Sequence, residues 1–294
     1  MDSKNDIEKI AYNFLKESKS LGVYPTPIKN LLNYSELVIN NNIDLSKIHE
    51  SYFTKSFNTL KIALSKLIGL VDFREKTISV DLSIKNNAKK KFIKLHEIGH
   101  YVLPWQKEMY AYLDDEENLS VNADELCEQE ANHFASSALF QLDLFEQEAR
   151  KLSLHLDSAV SLSKKFGSSI HSSLRRYVEY SNKRCGLLVL EKFDTTTMSS
   201  KLKDLFYSKG LQSEIGQYSF PNYLDLNYPF MSNLLDNRMV ANGSFALKFG
   251  TSTMSFDYQY FNNTYNCFIF MYPKGETNKS RTNIIILNEG KVIQ

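Results

Sequence analysis

Two histidines four residues apart in an apolar run restrict the fold of this chain more than any other feature. The run is KFIKLHEIGHYVLPW, residues 91–105, and it contains His96, Glu97 and His100. In an α-helix, positions i and i+4 share one face, so the two imidazoles can converge on one metal ion. Glu97 is turned by about 100° around the same helix, where its carboxylate can take a proton from a water beside that ion. The spacing predicts His96 and His100 as metal ligands and Glu97 as a general base.

The alternative interpretation is a core helix that contains two histidines by chance. Both imidazoles are expected to be at least partly buried, because apolar residues lie on either side of the histidines in the sequence. These apolar residues are Phe92, Ile93, Leu95, Ile98, Val102 and Leu103. A buried polar group without a partner costs about 1–3 kcal/mol. Two imidazoles and a carboxylate would need several partners, and because one metal ion satisfies them together, the metal site is favoured.

A catalytic zinc site has three protein ligands, so a third ligand is required elsewhere. A second helical pattern covers about residues 123–150, and Glu128 lies on its apolar stripe with Ala131. A carboxylate on such a stripe is expensive to bury unless it meets a cation. Glu130 is turned about 200° away, on a side interpreted as facing solvent. Glu128 is the predicted third ligand. Asn132, one turn further on, is either a hydrogen-bond partner of a ligating histidine or a surface amide.

The rest of the chain predicts an α+β fold around this motif. Residues 5–18 have the pattern of an amphipathic helix, and residues 61–83 predict a β-hairpin that leads into the motif helix. Residues 158–182 predict a helix-turn-helix-like segment interrupted at Gly167. From Cys185 onward, aromatic and β-branched runs separated by Gly, Asn and Pro turns predict a mainly antiparallel β module.

Composition argues against several classes of function. The 35 basic and 34 acidic residues give a net charge of +1, so no field of one sign attracts nucleic acid or an anionic membrane over the whole surface. Cys127, Cys185 and Cys267 form no CxxC pair, which is typical of reduced thiols in a cytosolic protein. The N-terminus lacks the apolar segment of a signal peptide, and no window approaches the length of a membrane span. We expect a soluble, cytoplasmic protein without a membrane partner.

HEIGH followed by EQEANHFASSAL resembles the ImmA/IrrE family of metallo-endopeptidases, whose signature is HExGH and then E-x-x-A-N-x-F-A-x-x-L-L. The resemblance covers residues 5 to about 145 and includes the N-terminal helix and the hairpin. Carried over position by position, it implies that His96, His100 and Glu128 bind the metal and that Glu97 is the general base. The chain departs from the family in reading ALFQLDLF, without proline, at the end of the second motif. The path of the chain after residue 140 is therefore not implied.

The resemblance implies a helical, zincin-like peptidase domain over residues 1–150. We expect a helix-turn-helix-like connector at 151–184 and a β-rich domain with a sensory or substrate-binding role at 185–294. The implied activity is zinc-dependent cleavage of a protein, a helix-turn-helix transcriptional repressor, in a stress-response, phage or mobile-element system. Manganese or iron can also occupy a His2Glu ligand set.

Two alternatives remain open at the level of sequence. One is an antitoxin-like regulatory protein that binds its partner without cleaving it, which the intact Glu97 disfavours because a binder needs no general base. The other is a DNA-binding regulator that uses residues 158–184 and has a structural metal site. Few basic residues lie in or next to that segment, so its interpretation as a packed connector is preferred.

Overall fold

The fold is given by a computed structural model, which describes five ranges of the chain. Those ranges are 3–40, 69–112, 121–216, 218–249 and 252–276. The first part of the predicted hairpin, before residue 69, and the run TNIIILN at 282–288 lie outside them. By its contacts the chain divides into two compact units, Met1–Phe145 with Ser163–Ser169 and Glu146–Leu162 with Ile170–Gln294. The division into three domains stays a prediction.

The first unit combines helices with a small sheet. Its helices are α1 (Ser3–Glu17), α2 (Ile28–Ser35), α3 (Asn87–Val102), α4 (Pro104–Tyr112) and α5 (Val121–Phe140). Its strands are β1 (Val38–Asn40), β2 (Gly69–Asp72) and β3 (Thr77–Val80). The strand order is β1-β3-β2, with β1 parallel and β2 antiparallel to β3. The β2–β3 pair is the predicted hairpin, and α3 follows it along the chain.

Helix α3 has clear start and stop signals. The Asn86 side chain accepts a hydrogen bond from the Lys89 backbone N–H at 3.0 Å and caps the helix. The helix ends at Val102, and Pro104 begins α4 after a single intervening residue. Proline is favoured in the first turn of a helix, where its missing N–H has no intrahelical partner. Pro104 therefore ends one helix and starts another, which brings the residues after it back toward the motif.

Close packing of α3 on α5 sets the distance between the two halves of the motif. A Cβ on Gly99 would lie 3.3 Å from the Ala131 backbone and 3.1 Å from the Phe134 ring, so the helices touch where Gly99 has no side chain. Phe134 in turn packs against Phe14 of α1, with ring centroids 5.9 Å apart. Small residues at this crossing allow a side chain of α5 to reach the histidines of α3.

The prediction of one helix over residues 123–150 is wrong. Helix α5 ends at Phe140, and a separate helix, α6, covers Asp143–Arg150. Gln141 and Leu142 between them have left-handed backbone angles, with φ of 51° and 55°. The Gln141 side chain accepts from the Gly22 N–H at 2.7 Å and donates to the Val23 carbonyl at 2.8 Å. These bonds tie the helix end to the loop after α1, a long-range contact that periodicity does not reveal.

The predicted interruption at Gly167 is present. Helix α7 (Leu156–Phe166) ends immediately before it, and α8 (Ile170–Glu179) begins after a short turn. Gly167 has φ of +67°, a conformation that glycine adopts without a side-chain clash.

No helix in the described ranges combines the length and the apolar character needed to cross a bilayer.

The second unit is built on a six-stranded antiparallel sheet in the order β6-β5-β4-β9-β8-β7. The strands are β4 (Gly186–Leu190), β5 (Ser199–Tyr207), β6 (Tyr223–Asp225), β7 (Val240–Phe249), β8 (Ser252–Asn262) and β9 (Cys267–Pro273). Two short helices, α9 (Lys209–Ile215) and α10 (Phe230–Leu235), lie between strands. The predicted antiparallel β character and the α+β class are confirmed.

The central strands of this sheet, β4 and β9, are buried on both faces. On one face α8 packs against β9, with the Tyr177 and Phe270 ring centroids 6.0 Å apart. On the other face Leu188 and Ile269 form a core with Leu211 of α9 and Phe230 of α10. Central strands covered on both sides carry continuous apolar sequence, as β4 and β9 do. Phe230, Phe245, Phe256, Phe268 and Phe270 thus belong to the core of this region.

Strand β5 was not predicted, and a β-bulge explains why. Leu202 and Leu205 are three residues apart, which is a helical spacing. In the sheet Leu205 pairs with Leu188 and Leu202 pairs with Leu190, because the register shifts at this point. The extra residue in β5 lets both leucines face the same core. A single-residue irregularity therefore gives this strand a misleading sequence pattern.

Candidate metal centre

The structure brings His96, His100 and Glu128 together. The two Nε2 atoms are 3.0 Å apart, and the Glu128 carboxylate oxygens are 3.3 Å from His96 Nε2 and 3.3 Å from His100 Nε2. Two ligand atoms on a tetrahedral zinc, each about 2.1 Å from the ion, are separated by about 3.4 Å. In the part of the chain that the structure describes, these three residues form the group that could hold a metal ion. The donor set fits a divalent ion such as zinc.

The outer nitrogens of both histidines have hydrogen-bond partners. His96 Nδ1 is 3.2 Å from the Asn132 side-chain oxygen, and His100 Nδ1 is 2.8 Å from the Gln106 side-chain oxygen. An amide oxygen can only accept, so each ring carries a proton on Nδ1. In the neutral rings this leaves both Nε2 atoms as acceptors facing each other beside a carboxylate. Such an arrangement requires a cation or additional protons between them.

The prediction that Glu128 is buried and Glu130 faces solvent is wrong. The Glu128 side chain is 58% exposed, whereas Glu130 is only 7% exposed. Glu130 accepts hydrogen bonds from Trp105 Nε1 at 2.6 Å and from Gln106 Nε2 at 2.9 Å, both from α4. Helix α4 thus covers the side of α5 that the sequence assigns to solvent. Glu128 still reaches the histidines, and its hydrogen bonds to them hold its pKa well below the ordinary range.

The Glu97 carboxyl lies in a buried position next to the histidines. Its side chain is 6% exposed, and burial raises its pKa to about 7, although the charges on His96 and His100 act in the opposite direction. A backbone hydrogen bond from Val71 of β2 also favours the ionised form. A carboxyl that titrates near neutral pH is suited to accepting and returning a proton.

His100 titrates above its ordinary range in the metal-free protein. Burial lowers its pKa, but the hydrogen bond to Glu128 and the charges of Glu97 and Glu128 together outweigh burial and raise it. A protonated imidazole cannot bind a metal, so protons compete with the ion at this position. Metal affinity should therefore decrease as the pH falls.

Gly69, the first residue of β2, leaves room for the Glu97 carboxyl. A Cβ at this position would overlap Glu97 Oε1 and lie 2.5 Å from Ile93 Cγ2. We expect Gly69→Ala to lower the free energy of unfolding by about 1–3 kcal/mol, because two buried side chains of α3 must move. Urea unfolding of the metal-free protein measures the change.

Gly210→Ala is the matched control for Gly69→Ala. A Cβ on Gly210 would make only an ordinary contact, at 3.5 Å from Arg184 Cγ. This variant should unfold within about 1 kcal/mol of the wild type, or be slightly more stable, because alanine is favoured over glycine in a helix. Equal stability of both variants would contradict the close approach at Gly69.

The raised pKa of Glu97 predicts a pH-dependent stability difference in the metal-free protein. Between the ordinary carboxyl pKa of 4.5 and about 7, the unfolded chain has lost this proton and the folded chain retains it. The free energy of unfolding therefore falls as the pH rises through this window. Glu97→Gln lacks this loss and should gain up to about 3 kcal/mol relative to the wild type. The free energy of unfolding of both proteins is measured with chelator from pH 4 to 8. If it changes with pH in the same way in both, Glu97 titrates normally and the prediction is wrong.

Sequence reasoning missed Gly69, Trp105, Gln106 and Glu130 as neighbours of the site. The glycine had one usable signal, since a glycine at the start of a strand often marks a close approach of another group. The other three have none, because their contacts depend on how α4 returns toward α5. Of the sequence-predicted residues, all five lie at the site: His96, Glu97, His100, Glu128 and Asn132. Their roles stay predictions.

The second helix of the predicted helix-turn-helix is engaged in packing. Leu174, Tyr177 and Val178 of α8 are buried in the second unit. Arg175 binds Glu179 at 3.0 Å, and its guanidinium lies 4.9 Å from the centroid of the Phe206 ring. A recognition helix must present its side chains to the major groove. The packing of α8 disfavours the DNA-binding alternative.

Comparison with known proteins agrees with this geometry. Residues 53–177 match the sequence model of a peptidase family described as the IrrE N-terminal-like domain. No curated protein matches the chain. A solved structure of a Mycobacterium tuberculosis transcriptional regulator shares the fold, with a TM-score of 0.52 over 93% of this chain and 90% of that chain at 12% identity. The match over residues 53–177 confirms that this part of the chain resembles the ImmA/IrrE family of metallopeptidases.

Proposed function

We propose that this protein is a zinc-dependent endopeptidase that cleaves a helix-turn-helix transcriptional repressor in a stress-response, phage or mobile-element system. The observation that carries the proposal is the convergence of His96, His100 and Glu128, with the buried Glu97 carboxyl beside them. The peptidase family of residues 53–177 supports the reaction class. The repressor substrate follows from the resemblance to the ImmA/IrrE family, and the name of the Mycobacterium tuberculosis protein, a transcriptional regulator, fits a regulatory setting.

In the proposed reaction, His96, His100 and Glu128 would hold the ion. When bound, the ion supplies a Lewis acid that polarises the scissile carbonyl and lowers the pKa of a water molecule. Glu97 accepts the proton of that water and then donates it to the nitrogen of the leaving amine. Asn132 limits rotation of the His96 ring through its hydrogen bond to Nδ1. Zinc is the ion of the proposal, and manganese or iron would suit the same ligands.

A repressor substrate requires the protein to act in the cytoplasm. The three cysteines, Cys127, Cys185 and Cys267, are free thiols and all are buried. Reduced cysteines are the rule in that compartment. The site itself needs no oxidising environment, and its ligands are imidazoles and a carboxylate.

The proposal is tested by incubating the protein with the repressor encoded next to it. We expect a discrete fragment in the presence of zinc, no fragment with excess chelator, and recovery of the fragment when zinc is added back. An unrelated helix-turn-helix protein serves as the control for specificity and should stay intact. A repressor that remains uncut by the zinc-loaded protein, or cleavage that ignores chelator, would argue against the proposal.

A further inference from the structure

A chain of hydrogen bonds leads from the partly exposed Trp105 to His100. Trp105 Nε1 donates to Glu130 Oε2 at 2.6 Å, and Gln106 Nε2 donates to the same oxygen at 2.9 Å. The Gln106 oxygen then lies 2.8 Å from His100 Nδ1. We propose that Gln106 is a positioning residue for His100, and that Glu130 fixes the orientation of the Gln106 amide. This inference rests on the proposed metal site and adds the group that holds one of its ligands.

The orientation of the Gln106 amide is determined by its surroundings. Its nitrogen faces two acceptors, the Glu130 carboxylate at 2.9 Å and the Cys127 carbonyl at 3.1 Å. The reversed amide would place its oxygen against both acceptors and its NH2 group against the imidazole. Because an amide oxygen cannot donate, that arrangement loses two hydrogen bonds. Glu130 and the Cys127 carbonyl therefore direct the oxygen of Gln106 toward His100.

This orientation selects one tautomer of His100. An oxygen at Nδ1 requires the ring proton on that nitrogen, which leaves the Nε2 lone pair directed toward Glu128 and His96. Gln106 is fully buried, so its side chain is confined by packing as well as by hydrogen bonds. The imidazole is thereby held ready to bind an ion before the ion arrives.

The two histidines are supported unequally. The partner of His100 is a fully buried amide at 2.8 Å, whereas Asn132, the partner of His96, is an exposed amide at 3.2 Å. An exposed hydrogen bond competes with water and contributes less to orientation. Loss of Gln106 should therefore weaken metal binding more than loss of Asn132.

Zinc affinity of the variants, measured by competition with a chromophoric chelator, tests the inference. We expect Gln106→Ala to bind zinc about 10–100-fold more weakly than the wild type, and Glu130→Ala to bind more weakly as well. The double variant should bind no more weakly than Gln106→Ala, because Glu130 acts through Gln106. Glu130→Gln should restore near-normal affinity, since its amide oxygen can accept from both donors. Gln129→Ala, an exposed neighbour on α5, is the control and should match the wild type.

A second measurement begins with the wild-type protein. In the zinc-loaded wild type, the His100 Nδ1 proton should give a slowly exchanging NMR signal, because its acceptor is buried. Glu130→Gln should retain this signal. A rapidly exchanging His100 proton in the wild type, wild-type affinity in Gln106→Ala, or multiplicative losses in the double variant would each overturn the inference.

The two proposals fail in different ways. If the wild type binds zinc and cleaves its repressor while Gln106→Ala binds zinc equally well, only the positioning role is wrong. If the wild type binds no zinc at all, the proposed function is wrong, and the positioning role falls with it.

Discussion

Replacement of Glu97 by Gln is expected to lower the rate of repressor cleavage by about 10²–10⁴-fold while the metal stays bound. Glutamine has nearly the same shape but cannot accept a proton from water. Its side-chain oxygen can still accept the Val71 N–H, and the space beside Gly69 remains filled. Because His96, His100 and Glu128 are unchanged, the ligand set is complete. The loss should therefore appear in the chemical step rather than in metal content.

Single-turnover cleavage and zinc content, measured on the same preparations, check this result. Glu125→Gln makes the same substitution at an exposed position of α5 and should cleave at the wild-type rate. Undiminished cleavage by Glu97→Gln would exclude Glu97 as the general base. Loss of zinc from this variant would instead indicate that Glu97 binds the metal.

Glu128→Ala is expected to weaken zinc binding by more than about 100-fold, beyond what loss of a supporting hydrogen bond costs, and to abolish cleavage as a consequence. The carboxylate is the anionic member of the ligand set and contacts both Nε2 atoms at 3.3 Å. Without it, two neutral imidazoles remain. The side chain is 58% exposed, so its removal leaves no cavity in the core and the metal-free fold should persist.

Chelator competition and circular dichroism of the metal-free protein separate these two effects. Glu125→Ala, which removes an exposed carboxylate from the same helix, should bind zinc like the wild type. Tight zinc binding by Glu128→Ala would mean that the third ligand lies elsewhere. A metal-free variant that is unfolded would assign Glu128 a structural role.

The local part of the site was predictable because it depends on a few neighbouring residues. The spacing of His96 and His100 needs only helical geometry to place both imidazoles on one face. The cap at Asn86 and the stop before Pro104 define that helix from adjacent residues. The antiparallel sheet of the second unit was indicated in the same way, by β-branched and aromatic runs between turn residues.

Contacts between distant segments set the limits of prediction. The continuous helix over 123–150 failed because Gln141 binds the loop after α1, far away in sequence. Strand β5 was missed because one bulge changes the spacing of its leucines. In both cases the local spacing of residues suggests a regular helix. Interactions that form only in the folded chain give a different structure.

The two glutamates of α5 show which properties follow from the sequence and which depend on the tertiary structure. The sequence by itself determined that a helix would present two histidines and that a carboxylate from a second helix could complete the set, since helical periodicity is a local property. Only the tertiary structure decided that Glu130 is buried and Glu128 exposed, because α4 returns to cover one side of α5. Burial depends on which segments pack together, and the same fold-back brings Gln106 to His100.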